Sequence, residues 1–384
     1  MKIVVNTLIN NPRYAAILLL VCTLVSLFWA NSPWAISYQS LHQLQLGLHF
    51  GSWSFAKSLD FWVNDGLMAV FFLLVGLEIK REMLIGHLNS PRKAALPVIA
   101  AIGGMAVPAL LFILMNLGHP GNLAGWGVPM ATDIAFAMCL LGLLDRRIPR
   151  GLLVLLTAIA IVDDLGAVSV IAIFYNNGIH FKYLLLALAI LVLLYAANRA
   201  KFKGLWLYIV LGLALWMALL HSGVHATIAG VLLAFMIPIE AGNRSPLQRL
   251  EHFLKLPVMF GIIPLFILLN AGVSISMPML DAAWHSPITW GIIGGLLLGK
   301  VLGIFGLSSI FIKLDWLHLP EKVSLRLLLP MSIIAGIGFT MALFIAELAY
   351  PGSQNLVFAK VGILSASLIA AGVGYAMMWI FTRV

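Results

Sequence analysis

Asp163 and Asp164 stand side by side in LLTAIAIVDDLGAVSVIAIFY, residues 155–175, an apolar run long enough to cross a membrane. An acidic residue at the centre of a membrane helix costs roughly 3 kcal/mol on insertion scales, so it is expected to face a polar cavity and to serve an ion or proton pathway. Neighbouring helix positions differ by about 100°. One carboxylate can therefore point into a water-filled funnel while the other points toward a partner. Oxygen ligands suit hard cations, a rule stated for calcium and magnesium that extends to sodium and lithium. Burial and a like-charged neighbour favour the protonated carboxyl, whereas a bound cation or an ammonium favours the ionised form. The same oxygens can then hold either a proton or the metal, and the pair is expected to bind the two in turn. If both carboxylates take a proton when the cation leaves, the exchange is electrogenic, and their titration is shared.

Two further ionisable groups lie inside expected spans, Asp133 and Lys300. Where broken helices cross, partial positive charge collects at N-terminal ends and partial negative charge at C-terminal ends. A carboxylate and an ammonium there would neutralise those ends. Two readings stay open for Lys300: an ion pair to Asp163 that a proton breaks, or a structural counter-charge. A purely structural network is disfavoured, since three aspartates against one lysine leave buried negative charge uncompensated. His221 and His225 share a helix face, but no glutamate accompanies them as in H-E-x-x-H, and they read as core or helix-end residues. Glu78-Ile-Lys80-Arg81-Glu82 mixes charge at a helix end, where such residues are usually solvated and anchor the helix, Glu78 one turn deeper being the less ordinary member. Arg249, Glu251, His252 and Lys255 open a later helix; His252 can titrate near neutrality, although a solvated helix start is the plainer reading.

The elements that must position these groups are membrane helices. Of 384 residues 62% are hydrophobic and 10% charged, and a hydrocarbon core about 30 Å thick takes about 20 apolar residues per helix. Twelve spans are expected, near residues 14–30, 59–79, 95–116, 122–143, 151–175, 182–198, 204–220, 223–238, 256–272, 288–311, 327–349 and 357–381. Residues 14–30 lack a small-residue cleavage site and read as a permanent helix. With a cytoplasmic N-terminus, every Lys and Arg falls inside except Lys57, Lys182, Lys360 and the intramembrane Lys300. That asymmetry expects both termini in the cytoplasm. The net charge of +9 therefore reports orientation in a lipid bilayer, not nucleic-acid binding. Cys22 and Cys139 suggest neither a disulfide framework nor a metal site.

Two spans carry breaking residues. Gly125, Gly127 and Pro129 precede Thr132 and Asp133, and Gly336-Ile-Gly338-Phe-Thr340 recurs in 327–349. Glycine and proline loosen a helix, and a break at membrane depth is tolerated only where it is buried or lines a cavity. Thr132 precedes Phe136 by four residues, and Thr340 precedes Phe344 likewise. Segments 95–175 and 288–381 would enter from opposite sides, an inverted repeat with paired discontinuous helices that points to a transport site. Between the first two spans, Leu44, Leu46, Leu48 and Phe50, a Gly51-Ser52 turn, then Trp53 and Phe55 read as an external β-hairpin over 44–55. It would serve as a contact with a second copy, by strand pairing, or as a lid on its own helices.

Through Ala131-Thr132-Asp133-Ile-Ala-Phe136, Ala160-Ile-Val-Asp163-Asp164-Leu-Gly166, Lys300 and Gly336-Ile-Gly338-Phe-Thr340, the chain resembles the NhaA-type sodium/proton antiporters over essentially its whole length. The resemblance implies an all-α polytopic membrane protein of the bacterial inner membrane, with no cofactor, that expels sodium or lithium against inward protons by alternating access, more actively at alkaline pH. It assigns cation and proton binding to Asp163 and Asp164. It places Thr132, Asp133, Lys300, Gly338 and Thr340 at the helix crossing, and a pH-sensing cluster at Glu78, Arg81, Glu82, Arg249, Glu251 and His252. A homodimer joined partly through the hairpin is also implied. Gln248 and Lys255 depart from the family's pattern, where a lysine and a second histidine are familiar. An intramembrane aspartyl protease is disfavoured because Gly336-Ile-Gly338 and Gly372-Val-Gly374 are followed by Phe339 and Tyr375 where an aspartate would be needed. A sodium-coupled symporter would need a substrate group beyond the acids. A channel would need a filter loop.

Overall fold

Apolar runs wind into helices because a segment leaving water must satisfy its own backbone donors and acceptors. The computed structural model describes residues 12–50, 53–144, 147–176, 178–239, 245–274 and 276–383. The expected Gly51-Ser52 turn lies outside them, as do Lys2, Arg146 and Arg244 of the basic residues behind the orientation argument. Helices α1 (Pro12–Ala30) and α2 (Ala35–Gln43) lead into strands β1 (Gln45–Phe50) and β2 (Trp53–Ser58). Then follow α3 (Leu59–Leu84) and α4 (Pro91–Asn116), a 3-10 segment Pro120–Met130, α5 (Ile134–Leu144), α6 (Arg150–Phe174), α7 (Phe181–Arg199), α8 (Leu205–Ser222) and α9 (Ile228–Met236). The chain closes with α10 (Pro246–Asn270), α11 (Met277–His285), α12 (Pro287–Lys313), α13 (Leu325–Ile334), α14 (Phe339–Ala349) and α15 (Gln354–Phe381).

Among the described residues eight helices are long and apolar enough to cross a membrane, and up to eleven crossings result if each of three bent pairs forms one span. The chain is thus a multi-pass membrane protein. The bends are 42° between Pro120–Met130 and α5, 47° between α13 and α14, and 109° between Tyr14–Ala30 and α2. The span expected at 223–238 is helical only over the nine residues of α9. At 1.5 Å per residue it covers less than half of a hydrocarbon core about 30 Å thick. The physical reason is Gly223, which ends α8 in the left-handed conformation (φ 85°). His225 and Thr227 then bond each other, Nδ1 to Oγ1 at 2.8 Å, in the turn before α9.

By packing, the chain divides into two compact units, one of Met1–Ile17, Glu82–Ala167 and Ile275–Val384, the other of Leu18–Arg81 and Val168–Ser274. In the second, β1 and β2 pair antiparallel from Gln45 opposite Ser58 to Phe50 opposite Trp53, so the hairpin runs to residue 58. Phe55 rests edge-on against Trp62 (5.7 Å), and Trp62 stacks on Trp216 (6.3 Å), while Leu44 and Leu46 are exposed. Lys80 closes the C-terminal end of α9, donating to Phe235 O (2.8 Å) and Ile237 O (2.5 Å), where carbonyls lack helical partners.

In the first unit, α4 and α12 touch backbone to backbone. A Cβ on Gly303 would stand 2.1 Å from Gly103 O, and one on Gly103 would stand 2.3 Å from Gly303 O. Only a small residue permits that approach, the packing device that membrane helices use in place of hydrophobic burial. Lys300, one turn before Gly303, is thereby drawn fully inside.

Candidate functional site

The break between Pro120–Met130 and α5 meets the break between α13 and α14. Asp133 N–H donates to Ile337 O (2.6 Å), and Thr132 Oγ1 lies 2.9 Å from Ala335 O at the end of α13. Asp133 then caps two helices with one carboxylate. Its Oδ1 accepts from Phe136 N–H (3.1 Å) at the start of α5; its Oδ2 accepts from Thr340 N–H (3.0 Å) and Thr340 Oγ1 (2.5 Å) at the start of α14. Helix N-termini present unpaired N–H groups and partial positive charge, which is what an anionic side chain satisfies. The rings of Phe136 and Phe339 close the crossing edge to face at 4.9 Å. Phe339 N–H is taken by Ser367 Oγ of α15 at 3.2 Å.

Beside this crossing sits the pair supplied by α6 and α12. Lys300 Nζ donates to Asp163 Oδ2 at 2.7 Å, and both side chains are fully excluded from solvent. Thr132 Oγ1 is 2.9 Å from the same Oδ2. Lys300 lies between two π-helical stretches, Gly295–Gly299 and Val301–Gly306. Such turns are frequent at functional sites, where they interrupt the regular i→i+4 ladder. Asp163 Oδ1 is buried and accepts no hydrogen bond among the described residues. An ionised carboxylate has about four acceptor positions, so Asp163 keeps capacity for a proton or a hard cation on the oxygen that Lys300 does not hold. Asp164 is buried on the next helical position.

Thr132 accommodates either state of Asp163. Its hydroxyl carries one proton and faces two acceptors, Asp163 Oδ2 and Ala335 O. With Asp163 ionised, the proton can be given to Oδ2. With Asp163 protonated, the carboxyl can donate to the threonine oxygen while Thr132 donates to Ala335 O.

The structure thus gathers Thr132, Asp133, Asp163, Lys300 and Thr340, with Gly338 at the N-terminal end of α14. The second group of expected residues is less gathered. Arg81 Nε lies 3.2 Å and 3.0 Å from the two oxygens of Glu251, an ion pair joining α3 and α10 within the second unit. Glu78 is half-buried, and Arg249 and His252 are exposed. Glu82 belongs to the first unit, buried, with Oε2 accepting from His87 N–H at 2.8 Å. The sequence reading missed Ser367, the Ala335 carbonyl and the glycine seam of α12. The four-residue spacing of Gly295, Gly299 and Gly303 was the available signal for the seam.

The apolar spans define the class, a polytopic membrane protein, and a buried carboxylate–ammonium pair beside two crossed broken helices lies within it. The pattern of the family described as Na+/H+ antiporter 1 matches residues 6–378. A Na+/H+ antiporter NhaA 1 of Clostridium beijerinckii is 45% identical over 372 residues, 96% of this chain and 93% of that protein. An antiporter of the same description from Pseudomonas putida is 45% identical over 373 residues, 96% and 94% of the two chains. The Na+/H+ antiporter NhaA of Rhodospirillum rubrum is 44% identical over 381 residues, 96% and 95%. The chain belongs to the Na+/H+ antiporter 1 family and is a secondary transporter, not an enzyme.

Proposed function

We propose that this chain exchanges sodium or lithium for protons at Asp163 and Asp164 by alternating access, exporting the cation across a bacterial inner membrane. The observation that carries the reading is the buried Lys300–Asp163 pair, whose second carboxylate oxygen accepts no hydrogen bond among the described residues. A cation drawn to Asp163 and Asp164 competes with Lys300 for the carboxylate. A proton does so as well, by cancelling the charge that Lys300 pairs with. Cation and proton thus exclude one another on shared oxygens, and exchange follows if the site opens to one side at a time. Two carboxylates releasing protons for one cation make the cycle electrogenic. The same competition favours cation loading where protons are scarce, in keeping with greater activity at alkaline pH.

The inverted repeat with both termini cytoplasmic, which needs α9 together with the non-helical residues 223–227 before it as a twelfth crossing, pH sensing around Arg81 and Glu251, and a homodimer joined through the hairpin belong to the same proposal. The test is sodium-triggered proton movement in sealed proteoliposomes. Asp163→Asn and Asp164→Asn are each expected to abolish it while the protein still inserts, and a near-normal rate in either removes that residue from the site. Silence of every chain until an organic solute is added would replace antiport with symport.

A further inference from the structure

Within the first unit a cavity of about 280 Å³ opens between the start of α4, the N-terminal turns of α6 and the segment that follows α12. Its walls are apolar, with Leu96 and Pro97 of α4 facing Leu155 and Ala158 of α6, and four basic side chains rim it: His87, Arg92, Lys93 and His318. None of the described residues lining it is acidic. Arg92 and Lys93 are exposed like charges on adjacent positions, and they repel one another through screening solvent. Arg92 and Lys93 add to the cost because they sit in the first turn of α4, where the helix end is itself partially positive and where no acidic residue and no side-chain cap offsets them. The lining thus gathers two cationic side chains and two histidines, with no acidic residue among its described members.

We propose that this cavity binds a phosphate anion, with Arg92 and Lys93 as its charged ligands, His87 and His318 as further donors, and the apolar wall receiving the carbon skeleton of a phosphate ester. Guanidinium and ammonium groups make charge-assisted bonds to phosphate oxygens, arginine in a two-pronged geometry. The mixed lining suits the headgroup and glycerol of an anionic phospholipid; the polar rim alone suits free phosphate. The occupant touches Leu155 and Ala158, on the helix that carries Asp163 and Asp164, so binding there would bear on how that helix is held. The inference does not depend on the antiport reading, and its test reads binding alone.

The full chain in detergent would be titrated with phosphatidylglycerol or phosphatidylcholine and bound lipid counted by native mass spectrometry, with retention of inorganic phosphate measured by equilibrium dialysis. Arg92→Gln/Lys93→Gln and His87→Gln/His318→Gln are compared with Lys182→Gln/Lys201→Gln, which alters exposed basic residues elsewhere, after thermal unfolding has shown that each variant is folded. If a lipid headgroup is the source, the unmodified chain prefers phosphatidylglycerol by about tenfold, and the Arg92/Lys93 pair of substitutions reduces that to within about twofold. The control keeps the preference. If free phosphate is the source, inorganic phosphate is retained by the unmodified chain and the control but not by the Arg92/Lys93 variant, and no lipid preference appears. Equal lipid binding by all chains with no phosphate retained overturns the proposal, as does a preference that the control loses and the Arg92/Lys93 variant keeps.

Discussion

Lys300 and Asp163 are a pair in which neither charge has solvent to fall back on. Removing one partner of such a pair usually costs about 3–5 kcal/mol, because the other charge stays buried and uncompensated. Lys300→Gln is therefore expected to lower thermal stability by several degrees, and more at alkaline than at acidic pH. The sign follows from Asp163: in acid it can take a proton and shed the uncompensated charge, in alkali it cannot. Lys300→Arg keeps the charge and is expected to keep most of the stability, though its transport rate reports whether a planar guanidinium can replace a mobile ammonium. Thermal unfolding at several pH values checks this. An equal loss at every pH would mean that Asp163 is already protonated in the resting site.

At the scale of elements, the crossing of the broken helices hangs on Asp133. Its two oxygens cap α5 and α14 together, so the carboxylate joins half-helices that are distant in sequence. Replacing a capping acid by alanine typically costs about 1–2 kcal/mol per helix end. Asp133→Ala should then destabilise by roughly twice the loss of a single cap. Asp133→Asn retains one acceptor oxygen and is expected to lose about half as much. Chemical or thermal unfolding of the two variants in detergent measures the ratio. Equal losses would show that the negative charge matters, and not the acceptor geometry.

At the scale of the whole molecule, two properties of the proposed carrier extend beyond the crossing. The first is assembly. The hairpin leaves Leu44 and Leu46 exposed, while Phe55 packs on Trp62 of the same chain. Exposed strand edges favour pairing, and Phe55 also fits the lid reading. Deleting residues 45–58 is expected to turn dimers into monomers in analytical ultracentrifugation, and dimers that survive would leave the hairpin as a lid alone. The second is pH response. Charge reversal of the linked pair, Arg81→Glu with Glu251→Arg, should restore a pH profile that either single substitution displaces, because the ion pair is remade in the opposite sense. Profiles from proteoliposome transport decide it; single variants with undisplaced profiles would retire the pair as a sensor.

Much of this was legible in the chain itself. Spanning segments of apolar residues declare a membrane protein, because bilayer thickness sets their length and the absence of water forces helices. Asp133, Asp163, Asp164 and Lys300 stood out because buried charge is too costly to be incidental. Gly and Pro before Thr132, and Gly336 and Gly338 before Thr340, marked both breaks. What the sequence could not decide was which groups meet. That one carboxylate caps two half-helices, that Lys300 lies 2.7 Å from Asp163, and that Gly103 and Gly303 touch backbone to backbone are contacts between residues far apart in the chain. Nor could it decide that residues 223–238 form only a nine-residue helix after a left-handed Gly223. Hydropathy records the solvent each residue prefers, one position at a time. Hydrogen bonds, ion pairs and close packing are properties of pairs, and only the tertiary structure chooses the pairs.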